Sequence, residues 1–220
     1  MRETTELTGV VLQSQPVGEF DRRCVILTRE RGKITAFARG ARRTTSPLLA
    51  LTNPFVFACF TMYEGKNAYT LVSADVSEYF TDLPNSQPGV YYGFYFLELA
   101  AWYTREGIEA GDTVSLIYVA LKALMKGKMP ARLIRRVFEC RILTLNGEFA
   151  LPDEGTVDQY LYYTLKFSMY APVTRLFSFT LNENTERQFF RYVDDFLKRM
   201  TGRKFKSLQI LKVMADLPDA

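Results

Sequence analysis

The chain has 220 residues, 48% apolar and 14% aromatic, with a net charge of +4 and no histidine. That content can bury a sizeable core and argues against disorder, while the missing imidazoles exclude Ser-His-Asp and Cys-His catalysis and histidine-ligated zinc. The three cysteines, Cys24, Cys59 and Cys140, are isolated and odd in number, which suits a reducing compartment better than a disulfide scaffold.

Residues 1–6 are polar and acidic, without the basic end and apolar run of an export signal, so a cytoplasmic protein is expected. Short apolar runs rich in Thr, Val, Phe and Tyr then predict strands over 7–13, 23–28, 32–39, 54–63 and 68–79. In the fourth, Phe55, Phe57 and Cys59 would share one face, with Val56, Ala58 and Phe60 on the other. Residues 29–32 and 64–67 carry turn chemistry, so neighbouring runs should pair antiparallel. Five short strands in about 80 residues match an OB-type barrel, which closes its sheet to remove exposed edges. An SH3-like barrel would read similarly.

The polar, proline-bearing stretch 81–89 marks a boundary between a barrel domain, 1–80, and a domain of helical period, 81–220. A helix over 88–105, capped near Ser86, contains the longest apolar stretch. Interrupted by Gly93 and Glu98, that stretch is too short for a bilayer, which needs about 20 residues. Further helices are predicted over 112–127, with Leu116, Ala120, Leu121, Leu124 and Met125 in an apolar stripe, and over 130–146, stopped by Gly147. Thr156 and Gln159 form a capping-box pattern for a helix reaching 170, Asn184 would cap another, and a short one spans 207–214. The predicted fold class is therefore α+β: a five-stranded OB-type barrel followed by an all-α domain.

Charge is concentrated in one stretch of the barrel. Between Arg22 and Arg43 stand Arg22, Arg23, Arg29, Arg31, Lys33, Arg39, Arg42 and Arg43 against one acid, Glu30. On an OB-type barrel the second and third strands form the face that receives single-stranded nucleic acid, so phosphate contacts are expected there, against the alternative of a merely solvated face. Phe37 and Tyr69 could stack on bases or fill the core. In the helical half, Arg132, Arg135 and Arg136 beside Leu133, Val137 and Phe138 could form a basic rim for an acidic peptide, or pair with Glu139 on an ordinary stripe. Arg203, Lys204, Lys206 and Lys212 are again basic, serving either DNA contact or a helix end.

The order Gly9-Val10-Val11-Leu12, Gly18 to Arg22, Leu27-Thr28, Gly32-Lys33, Arg39 to Arg43, Ser46 and Leu51 to Phe55, with Gly202 to Leu208 near the end, resembles the bacterial recombination mediator family RecO. The resemblance implies a non-catalytic protein of the cytoplasm and nucleoid that binds single- and double-stranded DNA and anneals complementary strands. With RecR it would help load RecA onto DNA coated by single-strand-binding protein, whose acidic, hydrophobic-ended tail the helical domain would capture. The basic clusters place nucleic-acid contacts on Arg22, Arg23, Arg31, Lys33, Arg39, Arg42, Arg43, Arg203, Lys204 and Lys206, and the mixed basic and apolar third helix places peptide contacts on Arg132, Arg135 and Arg136. Many family members insert a four-cysteine zinc module after the helix ending at Gly147. This sequence continues with Glu148 to Pro152, so no metal or other cofactor is expected, and packing of residues 152–155 should replace the module. A rival reading is an adaptor whose barrel binds a partner protein. No catalytic residue is assigned, since no phosphate-cradling G-x-x-x-x-G-K motif accompanies the missing histidines.

Overall fold

A computed structural model of the chain describes residues 3–83 and 89–214. The expected cap near Ser86 lies outside the described residues.

Five strands, β1 (Thr4–Val17), β2 (Asp21–Thr28), β3 (Gly32–Ala38), β4 (Phe57–Glu64) and β5 (Tyr69–Glu78), close a barrel in the order β1-β2-β3-β5-β4. All ladders are antiparallel except β3–β5, which is parallel and limited to Ala36↔Tyr69 and Phe37↔Thr70. This is the OB-type arrangement rather than the SH3-like one. A short helix, α1 (Leu48–Leu51), sits between β3 and β4. The barrel core is built from Val11, Ile26, Ile34, Ala36, Phe60 and Leu71 among others.

Strand β1 is twice the length that apolar patterning suggests. It pairs with β4 along Thr4–Val10 and with β2 along Gly9–Val17, and its register shifts between Val11 and Gln13. Only its middle is buried, at Leu7 and Gly9 to Leu12, so its polar ends carry no hydrophobic signal. Phe55 departs from its expected place on β4. It precedes the strand in a left-handed conformation, φ 72°, while Val56, Ala58, Phe60 and Met62 face the core.

The chain forms two compact units, one comprising Met1–Thr81 with Ala101–Val114 and the other Asp82–Ala100 with Ser115–Ala220. The second stretch of the barrel unit lies along the half of β3 that β5 leaves unpaired. Lys33 N donates to Arg105 O (3.1 Å), Gly107 N to Arg31 O (2.9 Å) and Ala110 N to Arg29 O (2.9 Å), covering that sheet edge. Gly32 is required by this approach as well as by its turn: its φ is +64°, and a Cβ there would lie 2.1 Å from Arg105 O.

The helices are α2 (Gly89–Tyr103), α3 (Gly111–Lys126), α4 (Ala131–Leu145), α5 (Gln159–Tyr170), α6 (Glu183–Thr201) and α7 (Lys206–Met214). Phe96 stacks on Phe138 with centroids 4.2 Å apart, and α4, α5 and α6 pack on one another. Two expected caps are corrected. Asp158, not Thr156, caps α5 by accepting from Tyr160 N and Leu161 N, because Thr156 Oγ1 is turned to Asp153 O. Asn182, not Asn184, caps α6 by accepting from Thr185 N. After α4 the packing falls to Phe149, whose ring lies 4.6 Å from Phe196 and 5.9 Å from Tyr192, whereas residues 153–155 are exposed rather than filling the gap. All three cysteines are free, and among the described residues no helix is long and apolar enough to cross a membrane.

Candidate nucleic-acid interface

Period-2 alternation sorts the barrel cations. On β3, Ile34, Ala36 and Ala38 point into the core, leaving Lys33, Thr35 and Phe37 half-exposed on the outer face. Arg39 follows in the same alternation. On β2, Cys24 and Ile26 are buried while Arg23 and Val25 are outward. The ladders align Gln15, Arg23 and Phe37 in one row across β1, β2 and β3, and Gln13, Val25 and Thr35 in the next.

A groove of about 410 Å³ runs over this face, bounded by Gln13, Arg23, Val25, Lys33 and Thr35 and by Ala101, Arg105 and Glu106 from the covering segment. Arg23 reaches Thr35 Oγ1 (3.4 Å), and Lys33 Nζ donates to Ala101 O. Partial burial, then the positive charge of Arg105, holds the Lys33 ammonium below the usual lysine range.

At one end of the groove, the β1–β2 loop and the segment after β3 are locked together. Asp21 accepts from Gly40 N (2.7 Å), Arg42 N donates to Phe20 O (2.8 Å), and Arg42 Nη1 donates to Gly18 O (3.2 Å) and Glu19 O (2.9 Å). The Arg43 guanidinium lies 4.8 Å over the Phe20 ring. Arg22 Nη1 donates to Leu49 O, Thr52 Oγ1 (2.8 Å) and Asn53 Oδ1 (2.9 Å), which ties β2 to α1 and its following turn. Arg39 is exposed and makes no side-chain hydrogen bond or ion pair among the described residues.

These partners are neutral, so they fix the guanidiniums without cancelling their charge. The nearby carboxylates of Asp21 and Glu30 are taken up by backbone amides, Glu30 by Thr8 N at 3.0 and 3.2 Å. Arg31 differs: at the opposite end of the β2–β3 ladder, it faces Glu64 at 3.8 Å with both side chains about half exposed. Thus Arg23, Lys33, Arg39, Arg42 and Arg43 share the face and its end, Arg22 is a strut, and Arg31 stands apart. Arg105 and Phe20 were not singled out by the sequence. Arg105 lies far along the chain with no local signal, whereas Phe20 beside Arg22 and Arg23 could have suggested an aromatic platform. Tyr69 is in the barrel core, and Phe37 keeps an edge in the groove row.

The helical arginines do not form the expected rim. Arg135 is 7% exposed and Arg136 2%, because Glu139 at the centre of the helical unit draws both inward. Arg135 Nε lies 2.8 Å from Glu139 Oε1; Arg136 Nη1 lies 2.9 Å from Glu139 Oε2 and 3.1 Å from Asp194 Oδ1. Tyr95 Oη donates to Glu139 (2.7 Å), and Lys198 closes the network on Asp194 (2.6 Å). Burial pushes the Glu139 carboxyl up, but the two guanidiniums and the Tyr95 hydroxyl outweigh it and hold it below the usual range. Arg132 alone stays exposed, paired with Glu186 at 2.7 Å. Arg203, Lys204 and Lys206 are exposed around the start of α7, whose first amides are taken by Glu98: Lys206 N at 3.2 Å and Ser207 N at 2.9 Å.

Residues 1–80, the whole barrel, match the family model described as Recombination protein O N terminal. Beyond the barrel, the helical unit is included when the chain is aligned with DNA repair protein RecO of Acetivibrio thermocellus, at 25% identity over 94% of this chain and 96% of that protein. The chain is similar to RecO proteins along nearly its whole length, and its barrel to their N-terminal domain. RecO of Clostridium acetobutylicum aligns at 24% identity over 94% of this chain and 97% of its own length. With RecO of Alkaliphilus metalliredigens the identity rises to 34%, but the match covers 63% of this chain and just over half, 56%, of that protein. RecO similarity is thus denser over part of the chain, and the family is one of DNA repair and recombination proteins.

Proposed function

We propose that this chain is a non-catalytic recombination mediator that holds DNA on the outer face of its barrel, anneals complementary single strands and, with RecR, helps load RecA onto DNA coated by single-strand-binding protein. The observation that carries the DNA part is the set Arg23, Lys33, Arg39, Arg42 and Arg43, fixed by neutral acceptors or left open to solvent on one face and its end. From Lys33 to Arg39 the row spans roughly 20 Å at about 3.3 Å per residue, room for several phosphates. Such contacts position a sugar-phosphate chain without reading bases, and they suit single strands and duplex alike. Phe37 and the Phe20 ring beneath Arg43 add surfaces on which bases can stack.

The protein partners, RecR, RecA and the tail of single-strand-binding protein, rest on the family resemblance. The tail contact is not carried by Arg135 and Arg136, whose charge is spent on Glu139 and Asp194.

Titration of labelled single-stranded DNA at several salt concentrations tests the barrel site. Replacing Arg39, Arg42 and Arg43 by Ala should weaken binding and flatten the slope of log K against log salt by about two units, near 0.7 for each phosphate no longer neutralised. Unchanged affinity and slope in a folded triple variant would remove the site and favour the adaptor reading.

A further inference from the structure

A second candidate surface lies wholly within the helical unit. Two adjoining hollows, of about 840 and 290 Å³, share Phe179 and Thr180 and form one trough. Its walls carry six aromatic rings: Tyr118, Phe177 and Phe179 in the larger part, and Tyr160, Tyr163 and Phe167 in the smaller. Lys122, Lys126 and Lys128 border the larger part, and no lining residue of either part is acidic.

Two of these rings are exposed and the other four half-buried. Tyr160 is 69% exposed and Tyr163 50%, at a spacing of three on α5 that puts them on one face. Phe167, one turn further on, meets Phe179 edge to face at 5.3 Å and so joins this face to the trough floor. Lys122 and Lys126 are one turn apart on α3, and Lys166 stands exposed on α5 near Tyr162.

We propose that this trough is a second binding site for single-stranded nucleic acid, with Tyr160 and Tyr163 stacking on bases and Lys122, Lys126 and Lys128 holding phosphates. Charge complementarity selects a polyanion, and bare aromatic faces on an open rim suit flat bases, which stack at any sequence. An acidic peptide would satisfy the lysines but leave the outward tyrosine faces unused. The inference deepens the DNA-binding reading and rests on it: one strand on the barrel and another in the helical unit would give the chain two strands to anneal.

The test uses the full chain and an oligothymidine substituted with 5-iodouracil, which crosslinks on irradiation to aromatic side chains stacked against it. In the R39A/R42A/R43A background, crosslinks should map to Tyr160 and Tyr163, and Y160A/Y163A or K126E/K128E should abolish them. In the native barrel background, either double variant should slow annealing of complementary oligonucleotides at least about fivefold, with the urea midpoint unchanged because all four side chains are exposed. Crosslinks confined to the barrel with normal annealing would overturn the trough while leaving the barrel site standing. Variants that anneal normally but lose an acidic peptide ending in an apolar residue would make the trough a protein dock instead. A native chain that binds no DNA would overturn this inference and the proposed function together.

Discussion

Arg22 pairs across the sheet with Ala38, the neighbour of Arg39, yet the two arginines meet different fates. Arg22 satisfies three acceptors around α1, whereas Arg39 stands in solvent at the end of the groove row. Arg22→Ala should therefore cost about 1–3 kcal/mol of stability, read from the urea midpoint. Arg39→Ala should stay within about 0.5 kcal/mol of the native chain and act on DNA affinity instead. Equal stability losses would contradict this division of roles. At Gly32, Ala would meet both a left-handed backbone and the Arg105 carbonyl, so Gly32→Ala should destabilise the barrel unit by about 3 kcal/mol or more. The sequence put these strand ends within one or two residues, starting the second run after Arg22 and ending the third on Arg39, whereas β2 includes Arg22 and β3 stops at Ala38. It did not distinguish strut from contact, since Thr52 and Asn53 lie 30 and 31 residues from Arg22.

Among the elements, α4 and α6 are joined by a buried ionic network that no single helix discloses. The spacing of Arg135 and Glu139 was readable as an i,i+4 pair, but on a solvated stripe it would contribute only a few tenths of a kcal/mol. Burial changes its weight: Glu139→Leu would strand the Arg135 guanidinium and leave Arg136 with Asp194 alone, and should cost about 3–5 kcal/mol. Burial alone would raise the carboxyls of Glu139 and Asp194, but their cationic partners hold both below the usual range. Their stabilisation is thus complete above ordinary carboxyl values and is lost as pH falls through the lower folded ones. The unfolding midpoint of the helical unit should drop steeply below about pH 4, and less steeply in Asp194→Asn; parallel pH profiles would refute the linkage. Asp194 sits 58 residues from Arg136, which is why helical periodicity gave the stripe and missed its burial.

For the molecule as a whole, two bulk responses follow. DNA affinity should fall steeply with salt, because binding by phosphate neutralisation releases counterions. A chelator should leave the thermal midpoint within about 1 °C, since the three thiols are free and α4 is continued by Phe149 packed on α6; a larger shift would expose a structural metal. The amino-acid order alone determined the barrel and the helical array, the family resemblance and the concentration of positive charge in the second and third strands and their adjoining loops. Those properties are written in short-range periodicity, turn residues and composition. Only the tertiary structure decided which cations keep an unneutralised charge at the surface, which are struts and which are buried against acids. It also decided that residues beyond α2 cover β3 and that Tyr160 and Tyr163 are exposed along a trough whose other part is bordered by Lys122 and Lys126. Such choices depend on which groups meet after the chain has closed on itself, and contacts between residues far apart in sequence leave no local pattern to read.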